Sequence, residues 1–305
     1  MEFALLGSNI LITSRPNQWI KNLVVFIPVL FSFNESWTFK EYDLVISLFV
    51  NAILSFGAFT FIAIAIYFIN DVLDKKNDLK HPIKKQRPIA SGELSTSVAI
   101  YSSIVCIVIA FSISLIINLI LLIAVFAYFL LMTFYSYKLK EILFLDIFSI
   151  ALGFVIRVVA GAIAIDVPVS IWLCLCMLFG ALFIAVSKRF SEIWTNDQNF
   201  LYQRLVLERY SKLSKKNSII ILAVVMNITL ILYILYTLSA SNLPDNNAMI
   251  LTVPLVIAGM GRYFYLVINS HLGEKPEIIV VKDLVMKSVI LSWICLVAGI
   301  LYYWR

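Results

Sequence analysis

Charged side chains are scarce in this 305-residue chain. Asp, Glu, Lys and Arg make up 14% of it, and hydrophobic residues reach 62%; soluble chains average roughly 25% and 45–50%. A water-soluble globule could not bury that much apolar surface, and a disordered chain needs the opposite bias. Both classes are excluded, which leaves an integral membrane protein. Cysteine is sparse too: Cys106, Cys174, Cys176 and Cys295 all fall within apolar runs. Cys174 and Cys176 stand two apart, on nearly opposite sides of a helix. No disulfide framework or cysteine metal site is readable from them, and they read as small apolar residues in lipid-embedded helices. The opening MEFALLGSNILITSRP lacks the basic start and small-residue cleavage site of a signal peptide, so none is expected.

What is present is a series of apolar runs. A bilayer core of roughly 30 Å takes about 20 residues per helix. Nine spans are predicted, at 18–34, 45–69, 96–117, 119–136, 145–166, 170–187, 218–240, 248–269 and 287–304. The first is short and carries Lys21, so it is expected to enter the bilayer obliquely. The third and fourth are parted only near Asn118; together they are about twice one span long, which predicts a tight hairpin.

Of 24 Lys and Arg residues, against 18 Asp and Glu, twenty fall on one side of such a nine-helix chain. Arg15 lies before the first span and Lys21 near its start; Lys75, Lys76, Lys80, Lys84, Lys85 and Arg87 follow the second; Lys138 and Lys140 follow the fourth. Lys188, Arg189, Arg204, Arg209, Lys212, Lys215 and Lys216 follow the sixth, and Lys275, Lys282 and Lys287 the eighth. Lys40 and Arg305 lie opposite, and Arg157 and Arg262 lie within spans. The positive-inside rule then places the N-terminus and the long connections in the cytoplasm and the C-terminus outside, as in an inner or plasma membrane protein. The basic excess, a net +6, points to anionic lipids or substrates before nucleic acid.

Three segments carry candidate chemistry. In NDVLDKKND (70–78), Asp71, Asp74 and Asp78 stack on one helix face with Asn70 at its margin. Clustered carboxylates repel unless a cation sits between them, and few hard oxygen donors with open positions suit Mg²⁺ bridging to a phosphorylated substrate. The plainer alternative is a solvated acidic helix end neutralised by Lys75 and Lys76. In HPIKKQRPIASG (81–92), Pro88 and Gly92 constrain a loop that presents Lys84, Lys85 and Arg87, cations suited to phosphate oxygens. Alone, such a loop reads as a topology signal or a lipid contact. His81, followed by proline, is expected to shape the turn and is given no catalytic role. In YSYKLKEILFLDIFSIALGFVIRVVAG (135–161), Asp146 and Arg157 share a face about 16 Å apart, with Gly153 between them. A charge that deep is a functional candidate by default, although an internal ion pair joining two helices would also account for Arg157. Small residues on this stripe permit close approach of a ligand or helix. In SKRFSEIW (187–194), Lys188 and Arg189 read equally as membrane anchors or phosphate contacts, and Arg262 reads as a snorkelling side chain.

With these residues in place, the chain resembles the UbiA superfamily of intramembrane prenyltransferases. The likeness rests on NDxxDxxxD in the second helix, the RPIASG loop and YxxxxK followed by an acid before the fifth. Within that superfamily it is most similar to the decaprenyl-phosphate phosphoribosyltransferase branch, through RPNQWIKN (15–22), residues 70–92 and 145–161, SKR (187–189) and residues 261–293. One departure from the usual pattern agrees with that branch: four residues after Asp146, where a second acid is typical, stands Ile150.

The resemblance implies an all-α bundle of nine transmembrane helices around a central cavity open to the cytoplasm, as one domain over residues 1–305. It implies transfer of 5-phosphoribosyl from phosphoribosyl diphosphate to a polyprenyl phosphate, releasing diphosphate, with inversion at C1. Mg²⁺ would be held by Asn70, Asp71, Asp74, Asp78 and Asp146, and the catalytic set would be Asp71, Asp74, Asp146 and Arg157. Lys21, Lys84, Arg87, Lys140, Arg157, Lys188 and Arg189 would grip the two phosphorylated substrates, and Gln18 and Tyr137 the sugar. A homo-oligomer is compatible with the sequence, which does not set a stoichiometry. Two alternatives stay open: prenyl transfer from a prenyl diphosphate to an aromatic acceptor on the same scaffold, and transport. Transport is disfavoured because the halves show no internal repeat and the charges cluster at one boundary.

Overall fold

The computed structural model describes residues 2–195, 205–270, 272–274 and 276–304. Arg204, Lys275 and Arg305, counted above for topology, lie outside them. The described chain is built of helices in this order: α1 (Glu2–Ser14), a 3₁₀ segment (Pro16–Phe26), α2 (Ile27–Phe31), α3 (Tyr42–Asp78), α4 (Pro88–Ser91), α5 (Thr96–Ile117), α6 (Leu119–Tyr137), α7 (Leu145–Ala164), α8 (Ile171–Thr195), α9 (Leu205–Ser211), α10 (Lys215–Ser239), α11 (Val253–Ser270), α12 (Pro276–Lys282) and α13 (Leu284–Trp304).

Among the described residues eight helices are long and apolar enough to cross a membrane, and they coincide with the second to ninth expected spans. The first expected span is different. Residues 18–34 begin in the 3₁₀ segment and end past the five-residue α2, so no helix of crossing length forms there. A 3₁₀ turn rises about 2.0 Å per residue against 1.5 Å in an α-helix, so these sixteen helical residues still extend about 30 Å. Arg15 at one end reaches Asp71 near the C-terminus of α3, and Asn34 at the other donates to the Leu301 carbonyl near the C-terminus of α13, at 3.0 Å.

The hairpin expected at Asn118 is present, and Asn118 itself makes it. Its backbone is extended, its Oδ1 accepts from Leu121 N at 2.7 Å, and its Nδ2 donates to Ile163 O at 3.2 Å. The side chain thereby starts α6 and pins the turn to the end of α7.

Helices α3 and α7 form the interior of the bundle. In their most apolar stretches 61% and 56% of residues are buried, against 17% in α5, which turns most of its surface outward. Tight packing brings the 3₁₀ segment onto α7: a Cβ at Gly161 would lie 2.2 Å from the carbonyl oxygen of Val25. At 37 residues, α3 runs about 55 Å, far longer than a bilayer core, so its last turns project at the end that carries the acids. Arg262 does not snorkel freely: it pairs with Asp283 at 2.8 Å and ties α11 to the start of α13. That hydrogen bond, with a second from Met286 N, holds the Asp283 carboxyl below the usual carboxylate range.

Candidate functional site

The acids of α3 gather where its last turns meet the loops of the basic end, and each one faces a cation. Asp71, 3% exposed, accepts from Arg15 and from Arg87 Nη1 at 3.0 Å, with Asn70 Nδ2 at 3.4 Å. The same Arg87 nitrogen lies 2.7 Å from Asp78 Oδ2, so two carboxylates converge on a single positive atom. Asp74 pairs with Lys140 at 2.5 Å. The expected helical stacking of Asp71, Asp74 and Asp78 therefore exists, but their neutralising partners are Arg15, Arg87 and Lys140. Local chain geometry brings those partners in. Arg15 adopts a left-handed backbone just before Pro16, which ends α1 and turns the chain back toward α3. His81 shapes the next turn, as expected, with Nδ1 accepting from the backbone of Ile83 and Lys84 at 3.2 and 3.3 Å. Arg87 follows, extended, before Pro88 starts α4.

Two clefts stand out among the described residues, and neither is lined by Asp71, Asp74 or Asp78. One opens at the far end of the bundle beside Phe31, Val158 and Leu173, and the other lies between Phe144, Arg189 and Tyr210. Arg87 stands between Asp71 and Asp78, while Arg15 lies against Asp71 and Lys140 against Asp74.

Asp146 lies in a separate buried network. Its Oδ2 accepts from Arg189 Nε at 2.6 Å and its Oδ1 from the Tyr210 hydroxyl at 2.8 Å. Arg189 also pairs with Glu192 at 2.7 Å and donates to the Tyr135 hydroxyl at 3.1 Å. Burial and the facing Asp146 carboxylate push the Tyr210 phenol upward. Arg189 is thus an internal ion-pair residue, neither a membrane anchor nor an open phosphate contact. Four residues along, Ile150 packs into the apolar cluster with Phe183 and Phe190.

Arg157 is 6% exposed and meets no carboxylate among the described residues. Its partners are neutral: Asn22 Oδ1 at 2.9 Å, Gly153 O at 3.1 Å and the Tyr128 hydroxyl at 2.5 Å. The internal ion pair considered from sequence is not what holds it. Gln18 and Lys21 are half-buried on the 3₁₀ segment, and Lys84 and Lys188 are half-buried near the acids and beside Arg189. Tyr137 is 70% exposed and points away; Tyr135, two residues earlier and so on the other side of α6, is the one turned inward to Arg189.

Sequence reasoning left Arg15, Asn22, Tyr128, Tyr135 and Tyr210 without site roles. Arg15 and Asn22 stand in RPNQWIKN, and Tyr135 opens YSYKLK, so their segments were marked while their side-chain directions were not.

Among the described residues no three acidic, histidine or cysteine side chains form a metal cage. The donor set nonetheless fits a hard divalent cation. Mg²⁺ is usually held by one or two carboxylates, with substrate phosphates and waters completing its shell. Asp71 and Asp78 already converge on one cationic atom. Asp146, with both oxygens engaged, is not open to such a role in this arrangement.

The sequence model of the UbiA prenyltransferase family matches residues 25–280. The chain is 31% identical over 308 aligned positions to the decaprenyl-phosphate phosphoribosyltransferase of Mycolicibacterium smegmatis, covering 98% of this chain and 94% of that one. It is 28% identical to the protein of the same name from Corynebacterium glutamicum, covering 94% and 85%. Among solved structures, a UbiA homologue from Archaeoglobus fulgidus bound to DMAPP and Mg²⁺ superposes with a TM-score of 0.71 at 18% identity, over 97% of this chain and 99% of that one. At that identity the likeness concerns the fold.

Proposed function

We propose that this chain, which belongs to the UbiA prenyltransferase family, transfers 5-phosphoribosyl from phosphoribosyl diphosphate to a polyprenyl phosphate and releases diphosphate. The observation that carries this reading is the match, along nearly the whole of both chains, to a decaprenyl-phosphate phosphoribosyltransferase. The basic end faces the cytoplasm, where a soluble, highly anionic donor arrives, while the lipid acceptor reaches the same boundary from the bilayer.

The residues divide the work by charge. Asn70, Asp71, Asp74 and Asp78 would hold a divalent cation, Mg²⁺ in our reading, whose charge would offset that of the leaving diphosphate. Arg15, Arg87 and Lys140 sit on those carboxylates and are placed to turn onto phosphate oxygens when the donor enters; Arg does so through a planar fork and Lys as a point charge. Lys21, Lys84 and Lys188 add positive charge around them, and Gln18 is placed for the sugar. A phosphate monoester is already anionic at neutral pH, so no strong general base is needed, and positioning with charge stabilisation supplies most of the catalysis. Asp146 serves by holding Arg189 and Tyr210 in place. Ile150, packed among apolar side chains, leaves α7 without the second acid expected of an enzyme that uses two full acidic motifs on prenyl diphosphate.

The test is incubation of purified protein with labelled phosphoribosyl diphosphate and polyprenyl phosphate. Label moving into the lipid fraction with release of diphosphate is the expected result. Label staying wholly in water, with prenyl transfer to an aromatic acid instead, refutes it.

A further inference from the structure

The guanidinium of Arg157 is a charge sealed inside a membrane bundle, with no carboxylate beside it among the described residues. Three neutral oxygens take its hydrogens, and the rings of Tyr128 and Phe154 lie 4.5 and 5.2 Å from its central carbon. Those contacts satisfy hydrogen bonding, but they leave the unit charge uncompensated in a low-dielectric setting, which is costly. The other buried ionic groups of this end are paired: Asp71, Asp78 and Asp146 each face an arginine. Among these groups Arg157 is the one that pairs with no described carboxylate.

Its position says which anion it could receive. Lys140, just before α7, pairs with Asp74, so the acids of α3 stand level with the start of α7. The Arg157 side chain leans back toward the N-terminus of its helix, as long helical side chains do, and its Nη1 reaches the carbonyl of Gly153. Gly153 lies seven residues beyond Asp146, about 10 Å further along α7. From the other wall Asn22 is held in place by its Nδ2, which donates to Thr60 Oγ1 at 3.1 Å. The guanidinium is therefore held deeper in the bundle than the acids, between α7 and the 3₁₀ segment.

We propose that the Arg157 cage, completed by Asn22 and Tyr128, binds a phosphate monoester, separately from the diphosphate held at the acids of α3. This rests on the phosphoribosyl-transfer reading above. Two sources carry that chemistry: the phosphate of the lipid acceptor and the 5-phosphate of the donor. The lipid phosphate at this depth would lie on the side of C1 opposite the leaving diphosphate, the placement that in-line displacement requires. In that step an acceptor phosphate oxygen forms a bond to C1 as the bond from C1 to the diphosphate oxygen breaks, and the electron pair leaves with the diphosphate.

The experiment measures binding to the full-length protein in nanodiscs, without turnover. One arm compares polyprenyl phosphate with the polyprenol of the same length; the other compares phosphoribosyl diphosphate with inorganic diphosphate in the presence of Mg²⁺. Wild type is expected to prefer the phosphate-bearing ligand in at least one arm by about tenfold or more. Arg157→Gln should lose that preference, and Arg157→Lys, which keeps the charge and serves if the glutamine variant does not fold, should retain part of it. Loss in the lipid arm assigns the cage to the acceptor, and loss in the donor arm assigns it to the 5-phosphate. No preference in wild type, or an equal preference in folded Arg157→Gln, overturns the site. A wild type that binds the lipid phosphate through Arg157 yet forms no phosphoribosyl lipid overturns the reaction and leaves the site standing.

Discussion

Arg189 Nε lies 2.6 Å from Asp146 Oδ2, and both side chains are sealed from solvent, at 2% and 0% exposure. The pair joins α8 to α7 at the basic end, and the Tyr210 hydroxyl, bonded to the other Asp146 oxygen, brings in α9. Two residues that sequence suggests for metal and phosphate thus spend their charge on each other. Removing one partner of a buried pair strands the other. Arg189→Gln is expected to cost about 3–5 kcal/mol of stability, whereas Tyr210→Phe should cost about 1 kcal/mol. Thermal unfolding in detergent measures both, and a glutamine variant as stable as wild type would refute the clamp.

Asp71 and Asp74 are expected to be indispensable to turnover. Asp71→Asn and Asp74→Asn should each lower the rate by about 100-fold or more while leaving the chain folded. Arg15 and Arg87 keep 28% and 26% side-chain exposure, so water can take over when Asp71 loses its charge. Initial rates over a range of Mg²⁺ concentrations decide the matter. Rates and metal dependence like wild type in both variants reject the assignment.

Arg87 Nη1 lies between Asp71 and Asp78, two of the carboxylates proposed to hold a divalent cation. Arg87→Gln should therefore bind Mg²⁺ or Mn²⁺ a few-fold more tightly in the absence of donor, a gain of about 1 kcal/mol or less for so exposed a partner. Isothermal titration calorimetry reads it directly. Weaker binding would mean that the guanidinium gathers the carboxylates without competing for them.

Gly161 and Gly153 should respond differently to alanine. At Gly161 the new methyl would meet the Val25 carbonyl oxygen at 2.2 Å, and backbone cannot step aside; about 1–3 kcal/mol of destabilisation follows. At Gly153 the nearest atom, 3.0 Å away, is the end of the flexible Met132 side chain, so the loss should be small. Unfolding midpoints that fall equally in both variants would contradict the close approach of the 3₁₀ segment to α7.

Membrane residence, the later eight spans and the Asn118 hairpin could be read from the chain, because apolar run length and a lone capping side chain are local properties. The first span could not. A run of about 17 apolar residues looks like a short α-helix, and nothing in its composition says that it winds as 3₁₀ and reaches further per residue. The acids of α3 were legible as a cluster because period 3.6 stacks them, whereas the separate network around Asp146 was not. Its partners, Arg189 and Tyr210, lie 43 and 64 residues away. That Tyr137 faces out and Tyr135 faces Arg189 was not legible either: two residues on a helix differ by about half a turn, and only packing says which side faces in.

By itself the sequence determined that the protein lives in a bilayer, where its later eight spans lie, and that oxygen ligands and cations crowd one end. Those follow from counts and spacings along a single strand of residues. Which cation meets which carboxylate was decided only by tertiary structure, because charge pairing depends on distances between separate helices. The same packing gave Asp146 two partners and left Arg157 ringed by neutral groups.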